Sequence, residues 1–263
     1  MDSFSNYNSV AIGALGKWQS VTDASSVFSI VASGGRNGNS SLHMSGQPAA
    51  GSAGTFYQRT FPGATTRFIF GAAIKIDAFD TTTHELLFLQ WMDASTPQIS
   101  MTILPNGQIK LYKVAETLLL ATSVSSVFTA SNVYFFIEID ITFNAVSGAI
   151  AVHSNGVNVP LTASTGLNTA PSGNNSANTL KIGNMQPGAA TPFWVADFSD
   201  LYVCDSTGAA NNSFLGDVRV VCVFPNGAGA STQFTPNGAG TNWQCVNEVS
   251  EDAGTTFIND ANV

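Results

Sequence analysis

The chain has 263 residues, 44% of them hydrophobic, but only 10% are charged. Its formal net charge is −8. An acidic surface without a Lys/Arg run repels phosphate backbones and excludes nucleic acid as an expected partner. The polar coat must come from Ser, Thr, Asn, Gln and Gly, which suits strands and turns rather than helices. No apolar run approaches the length of a membrane helix, and MDSFSNYNS has neither the basic start nor the apolar stretch of a signal peptide.

Period-two segments recur from residue 67 onward. In RFIFGAAIKID, Phe68, Phe70, Ala72, Ile74 and Ile76 share one face. ELLFLQWMD places Leu87, Leu89 and Trp91 on one side and Leu86 and Phe88 on the other, as a central strand would. PQISMTILPNGQIKLYK reads as two strands around Pro105-Asn106-Gly107, and AIAVHSNGVNVPL as two more around Asn155-Gly156. Asn-Gly is a strong hairpin signal because both residues tolerate the positive φ of a type I′ turn. KVAETLLLATS admits a helix of one or two turns. In YFFIEIDITF, Phe135, Ile137, Ile139, Ile141 and Phe143 share a face. Residues 163–178 read as an exposed loop, and 205–212 as a boundary.

The segment FLGDVRVVCVFPNG, from Phe214, reads as a late strand with two apolar faces: Val218, Val220, Cys222 and Phe224 against Val221 and Val223. A long, Gly/Asn/Thr-rich stretch with almost no charge follows it. Short, evenly spaced strands with turn residues between them predict an all-β protein, an antiparallel sandwich with an extended C-terminal β segment. The expected division is 1–205 for the sandwich and 206–263 for the tail, as an assembly contact or the start of a second β module. A doubly apolar strand next to that stretch suggests docking, the partner's surface covering what the free chain exposes.

Sites of chemistry are few. Glu138, Asp140 and Thr142 project from one face of their strand. Laminarinase-like glycoside hydrolases carry Glu-x-Asp-x-Glu on such a strand, but the second Glu is Thr142 here, so the acid/base is missing and no enzyme is expected. The polar face is expected to open to solvent or to a neighbouring subunit. His43, His84 and His153 stand on separate segments without ligand spacing, and there is no G-x-S-x-G or phosphate-binding glycine loop. Three cysteines, Cys204, Cys222 and Cys245, argue against zinc or a disulfide framework, while leaving open whether one pair meets in space. Asp197 and Asp200 are the weak calcium candidates, with Asp77, Asp80 and Asp93 as further rim carboxylates. Trp18, Trp194 and Trp243 are candidates for stacking on sugar rings or anchoring a subunit, and Trp91 is read as core.

Several stretches carry a resemblance. DSFSNYN, GKW, GGRNGNSSLHM and FYQRTF leading into RFIFGAAIKI resemble the laminin-G/concanavalin-A-like jelly rolls of tailed-bacteriophage virion proteins. VYFFIEIDITFNAVSGAIAVHSNGV and TLKIGNMQ to FWVADFSDLYVCDSTG resemble their paired and closing strands. FLGDVRVVCVFPNGAGASTQFTPNGAGTNWQCVNEVSEDAGTTFI resembles the segment that follows that jelly roll, with Val133 and Phe234 where relatives carry Trp. The resemblance implies a virion structural component, in a capsid decoration, head fibre, tail or tail fibre, made in a bacterial cytoplasm. It implies other virion proteins as partners and a homo-oligomer, a trimer being usual for fibres. Phe234 joins the aromatic binding candidates on this ground. The alternative is a lectin-like module recognising host cell-surface glycans. No cofactor beyond calcium is expected.

Overall fold

The computed structural model describes residues 2–4, 18–22, 27–46, 54–79, 84–114, 117–185, 194–207, 209–220, 227–228, 235–237, 241, 243–244 and 257–259. Its strands are β1 (Ser20–Thr22), β2 (Phe28–Val31), β3 (Ser41–Gly46), β4 (Thr55–Thr65), β5 (Arg67–Ala78), β6 (Leu86–Asp93), β7 (Thr96–Ile103), β8 (Ile109–Lys113) and β9 (Leu118–Thr122). They continue with β10 (Tyr134–Thr142), β11 (Gly148–Ser154), β12 (Val157–Asn158), β13 (Thr165–Leu167), β14 (Ala177–Asn184) and β15 (Trp194–Cys204). A short ribbon, β16 (Thr235–Asn237) with β17 (Phe257–Asn259), lies in the C-terminal region.

Two antiparallel sheets face each other. A seven-stranded sheet runs β1-β4-β14-β6-β7-β8-β9, and an eight-stranded sheet runs β12-β11-β10-β5-β15-β3-β2 with β13 beside β11. This is the antiparallel sandwich expected from the alternation, in the jelly-roll form that the resemblance implies. The inward residues of both sheets form one continuous core, from Phe68, Phe70 and Ile74 on β5 to Leu89, Trp91 and Met101 opposite. The alternation of β10 holds as read: Phe135, Ile137, Ile139 and Ile141 point into that core.

Both Asn-Gly signals make their turns. Asn155 and Gly156 take positive φ of 50° and 76° between β11 and β12. Gly107, at φ 78°, closes β7 onto β8, and a Cβ there would lie 2.0 Å from the Phe128 carbonyl oxygen, so no other residue fits. The stretch that admitted a helix is β9, an edge strand. In β6 a register shift between Leu87 and Leu89 breaks the strict alternation. Leu86, Phe88, Leu89 and Trp91 all reach the main core, and Leu87 joins Phe56 and Met185 outside it. Part of the 163–178 loop is not exposed: Thr169 and Ala170 are fully buried.

The late segment differs from its reading. Residues 213–220 form no strand, and 221–226 lie outside the described residues. Phe214, Leu215 and Val218 lie across the outer face of the eight-stranded sheet, on Ile69, Ala73, Phe136 and Tyr202. The chain's own sandwich therefore covers the apolar side chains of this strap. Gly71 makes that face smooth enough: a Cβ there would lie 2.1 Å from the Tyr202 ring.

Candidate functional site

The outer face of the eight-stranded sheet is occupied at its centre by the strap. Glu138 is fully buried there, and its Oε1 accepts the Tyr202 hydroxyl at 2.5 Å and the Gly216 amide at 2.9 Å. Tyr202 Oη in turn accepts the Leu215 amide at 3.2 Å. Glu138 thus clamps the strap, where the sequence suggested a polar face open to solvent or a subunit. Asp140, two residues on, is held in a two-point pair by Arg67, with distances of 2.8 and 2.5 Å. Both carboxylates of the hydrolase-like pattern are thus engaged in structural contacts. The Arg67–Asp140 pair borders a pocket of about 500 Å3 whose other polar lining includes Thr142, Asn158 and Ser164. The two charges there neutralise each other.

The candidate calcium carboxylates are internal acceptors. Asp200, fully buried, takes Arg36 Nε at 3.2 Å, Asn39 Nδ2 at 3.3 Å and the Val220 amide at 2.9 Å. Asp197 takes Ser41 Oγ at 2.8 Å, His43 Nδ1 at 3.1 Å and Lys75 Nζ at 2.9 Å. Folding brings together what sequence spacing kept apart: ligand atoms of His43, Asp77 and Asp197 lie within 4.8 Å of one another. The cation among them is Lys75, also 3.0 Å from Asp77. Burial pushes the Asp197 carboxyl up, but its hydrogen bonds from His43, Lys75 and Ser41 outweigh this and hold it at about 2. The Asp197 hydrogen bond raises His43, against the effect of burial. Burial raises Asp77.

The aromatic candidates separate. Trp18 is 3% exposed, stands edge-on to Tyr57, and donates Nε1 to Asp2 at 3.1 Å. Trp194 is fully buried against Phe79. Neither ring presents a face to a sugar or a subunit, because each supplies core area instead. Trp91 is core, as read. Trp243 is half-buried in a turn closed by the Gln244 amide on the Thr241 carbonyl. Phe234, Asp80, Cys222 and Cys245 lie outside the described residues.

The seven-stranded sheet carries a different feature on its outer face. Six register pairs set one residue from each strand in line: Ser20, Gln58, Lys181, Gln90, Ser100, Tyr112 and Leu119. Six strand spacings of about 4.8 Å make this row nearly 30 Å long. All but Leu119 carry hydrogen-bonding groups. Its middle is sunken: Gln90 is 6% exposed and Ser100 fully buried, whereas Gln58, Lys181 and Tyr112 are partly exposed. Gln90 Nε2 donates to Ser100 Oγ at 3.0 Å.

Two walls border this floor along β7. On one side Gln98 Nε2 donates to Ser172 Oγ and to the carbonyls of Asn174 and Ser176, which pins the loop before β14. On the other, Glu85 accepts Thr102 Oγ1 at 2.6 Å, Lys110 Nζ at 2.5 Å and Tyr112 Oη at 3.0 Å. Burial and the Glu85 carboxylate both raise the Tyr112 phenol, so it stays a neutral donor and acceptor. Sequence reading missed these residues. Their signal was the polar half of the same alternation, but which of them align is set by register between distant strands.

Neither a family model nor a curated protein matches the sequence. Solved structures with a similar fold include the cellulose-induced protein Cip1, at 13% identity and a TM-score of 0.52, covering 79% of this chain and 94% of that one. They also include alginate lyase AlgAT5 of polysaccharide lyase family 7, at 13% identity and 0.46, covering 70% of this chain and 84% of that one. Carbohydrate-binding module CBM66 from Bacillus subtilis is a third, at 9% identity and 0.41, covering 71% and 94%. The likeness to Cip1 is one of fold alone.

Proposed function

We propose that this protein is a non-catalytic, lectin-like module that lays a glycan chain along the polar row of the seven-stranded sheet. The observation that carries the reading is the row itself. Amide, hydroxyl, phenol and ammonium groups stand in line at strand spacing over a sunken floor. Side chains of these types donate and accept toward sugar hydroxyls. The strap covers the centre of the opposite sheet, and on the seven-stranded face the partly exposed members of the row are Gln58, Lys181 and Tyr112. Names of proteins with a similar fold point to carbohydrate in the same sense. A glycan array followed by calorimetry tests the reading. Binding should weaken about tenfold in Gln90→Ala and further in a Gln90→Ala/Tyr112→Ala pair, with Thr142→Ala in the opposite pocket as the control. Unchanged affinity in the double variant would discard it.

A second reading concerns where the module works. The resemblance of the strap and tail sequence to the segment that follows phage jelly rolls supports a virion component, held through residues 206–263 to other coat parts or to copies of itself. The strap supports it too, because it fixes the start of that segment on the sandwich. Cryo-electron microscopy of an intact particle tests it by locating the chain's density on head or tail.

A further inference from the structure

The row holds one cation whose charge no described carboxylate matches. Lys110 is neutralised by Glu85, and Lys75, Arg36 and Arg67 belong to the other sheet and its ion pairs. Lys181 is half-buried on β14, near the centre of the seven-stranded sheet, with Nζ 4.2 Å from the centroid of the Phe56 ring. Directly across from it stand Gln58 on one neighbouring strand and Gln90 on the other. An ammonium flanked by two carboxamides at about 5 Å spacing is a donor array with a fixed positive centre.

A buried charge without a counter-ion is costly, and the favourable way to offset that cost is an anion that arrives with the ligand. Burial also lowers the Lys181 pKa, so an incoming anion would restore the charged form. The protein as a whole carries −8 and repels a densely charged polyanion at long range. At physiological salt that repulsion fades over about 8 Å, whereas a direct contact in a half-buried site is screened less and only weakens as salt rises. Resting on the glycan reading of the row, we propose that the module selects an acidic glycan of low charge density, a mostly neutral chain carrying an occasional uronate. Lys181 would meet the uronate carboxylate, with Gln58 or Gln90 donating to its second oxygen.

The test uses the full chain against neutral oligosaccharides of several backbones and their uronate-bearing counterparts, at two salt concentrations. Wild type should favour the carboxylated member by about ten- to hundredfold, and less so at high salt. Lys181→Gln should bring the ratio of acidic to neutral affinity close to one, and Lys181→Arg should retain a preference. Thermal melting checks that each variant is folded. Equal wild-type affinity for both members, or a preference that survives Lys181→Gln, overturns this inference and leaves the glycan reading standing. No binding to any sugar overturns the glycan reading, and this inference with it.

Discussion

Glu138 Oε1 accepts the hydroxyl of Tyr202 at 2.5 Å while also taking the amide of Gly216 at 2.9 Å, so one buried oxygen joins two strands and the strap. Glu138→Ala removes the acceptor for both and leaves a buried hydroxyl and amide without it. The expected cost is about 2–4 kcal/mol, because a carboxylate hydrogen bond contributes about 1.5–3 kcal/mol and orphaned donors add desolvation. The strap should then be cut by protease in the 206–220 region while the sandwich survives, as read by mass spectrometry. Glu138→Gln keeps one carbonyl acceptor and should lie between the two. A Glu138→Ala strap as resistant as wild type would contradict the clamp.

Arg36 is the second attachment of the strap. It contacts buried Asp200, pairs with Asp217, donates to the Val218 carbonyl at 2.6 Å and lies over the Phe136 ring at 4.9 Å. Arg36→Ala should cost about 2–4 kcal/mol in denaturant unfolding, since the Asp200 charge loses a partner inside the protein. Arg36→Lys should rescue little, because an ammonium cannot serve several acceptors in one plane. Full rescue by Lys would show that charge alone matters.

Gly71 faces the Tyr202 ring at a distance no Cβ can share. Gly71→Ala must push the ring or the β5 backbone aside. It should lower stability by at least about 2 kcal/mol and loosen the strap with it, because Tyr202 carries the Glu138 contact. Tyr202→Phe in the same background separates the lost hydrogen bond from the clash. A melting point for Gly71→Ala within a degree of wild type would rule the clash out.

The Ser41–His43–Lys75–Asp77–Asp197 cluster predicts a two-sided pH profile. Asp197 is held at about 2, below its ordinary 3.8, so its contribution is complete above pH 3.8 and is lost as pH falls toward 2. A shift of nearly two units is on the order of 2 kcal/mol. Asp77 is raised by burial, which has the opposite sign and blunts the acid loss. His43 is raised above 6.5, so its charged pairing stabilises fully below pH 6.5 and is lost as pH climbs through the folded value. Urea unfolding from pH 2 to 9 should show the plateau between these limits, and His43→Asn should remove the alkaline decline. A decline that persists in His43→Asn would assign it elsewhere.

Much of this protein follows from short-range rules. Alternation in β5 and β10 declares one buried face, since the pleat repeats every two residues. Asn155-Gly156 and Pro105-Asn106-Gly107 close hairpins because the positive φ of Asn155, Gly156 and Gly107 and the fixed negative φ of Pro105 are properties of the residues themselves. Such signals need no knowledge of what lies across the sheet. Folding alone decided that Gln58, Lys181, Gln90, Ser100 and Tyr112 share one row, since partners such as Gln58 and Lys181 are more than a hundred residues apart. The same holds for the two faces of the late segment. Hydrophobicity at 214–220 says that these side chains will be covered, but the covering surface, Tyr202 and Phe136 beside a bare Gly71, is assembled from strands far back in the chain. Trp18 and Trp194 make the point from the other side. An indole in a loop-rich stretch reads equally as a sugar platform or as core, and only the packing of two closed sheets placed both inside.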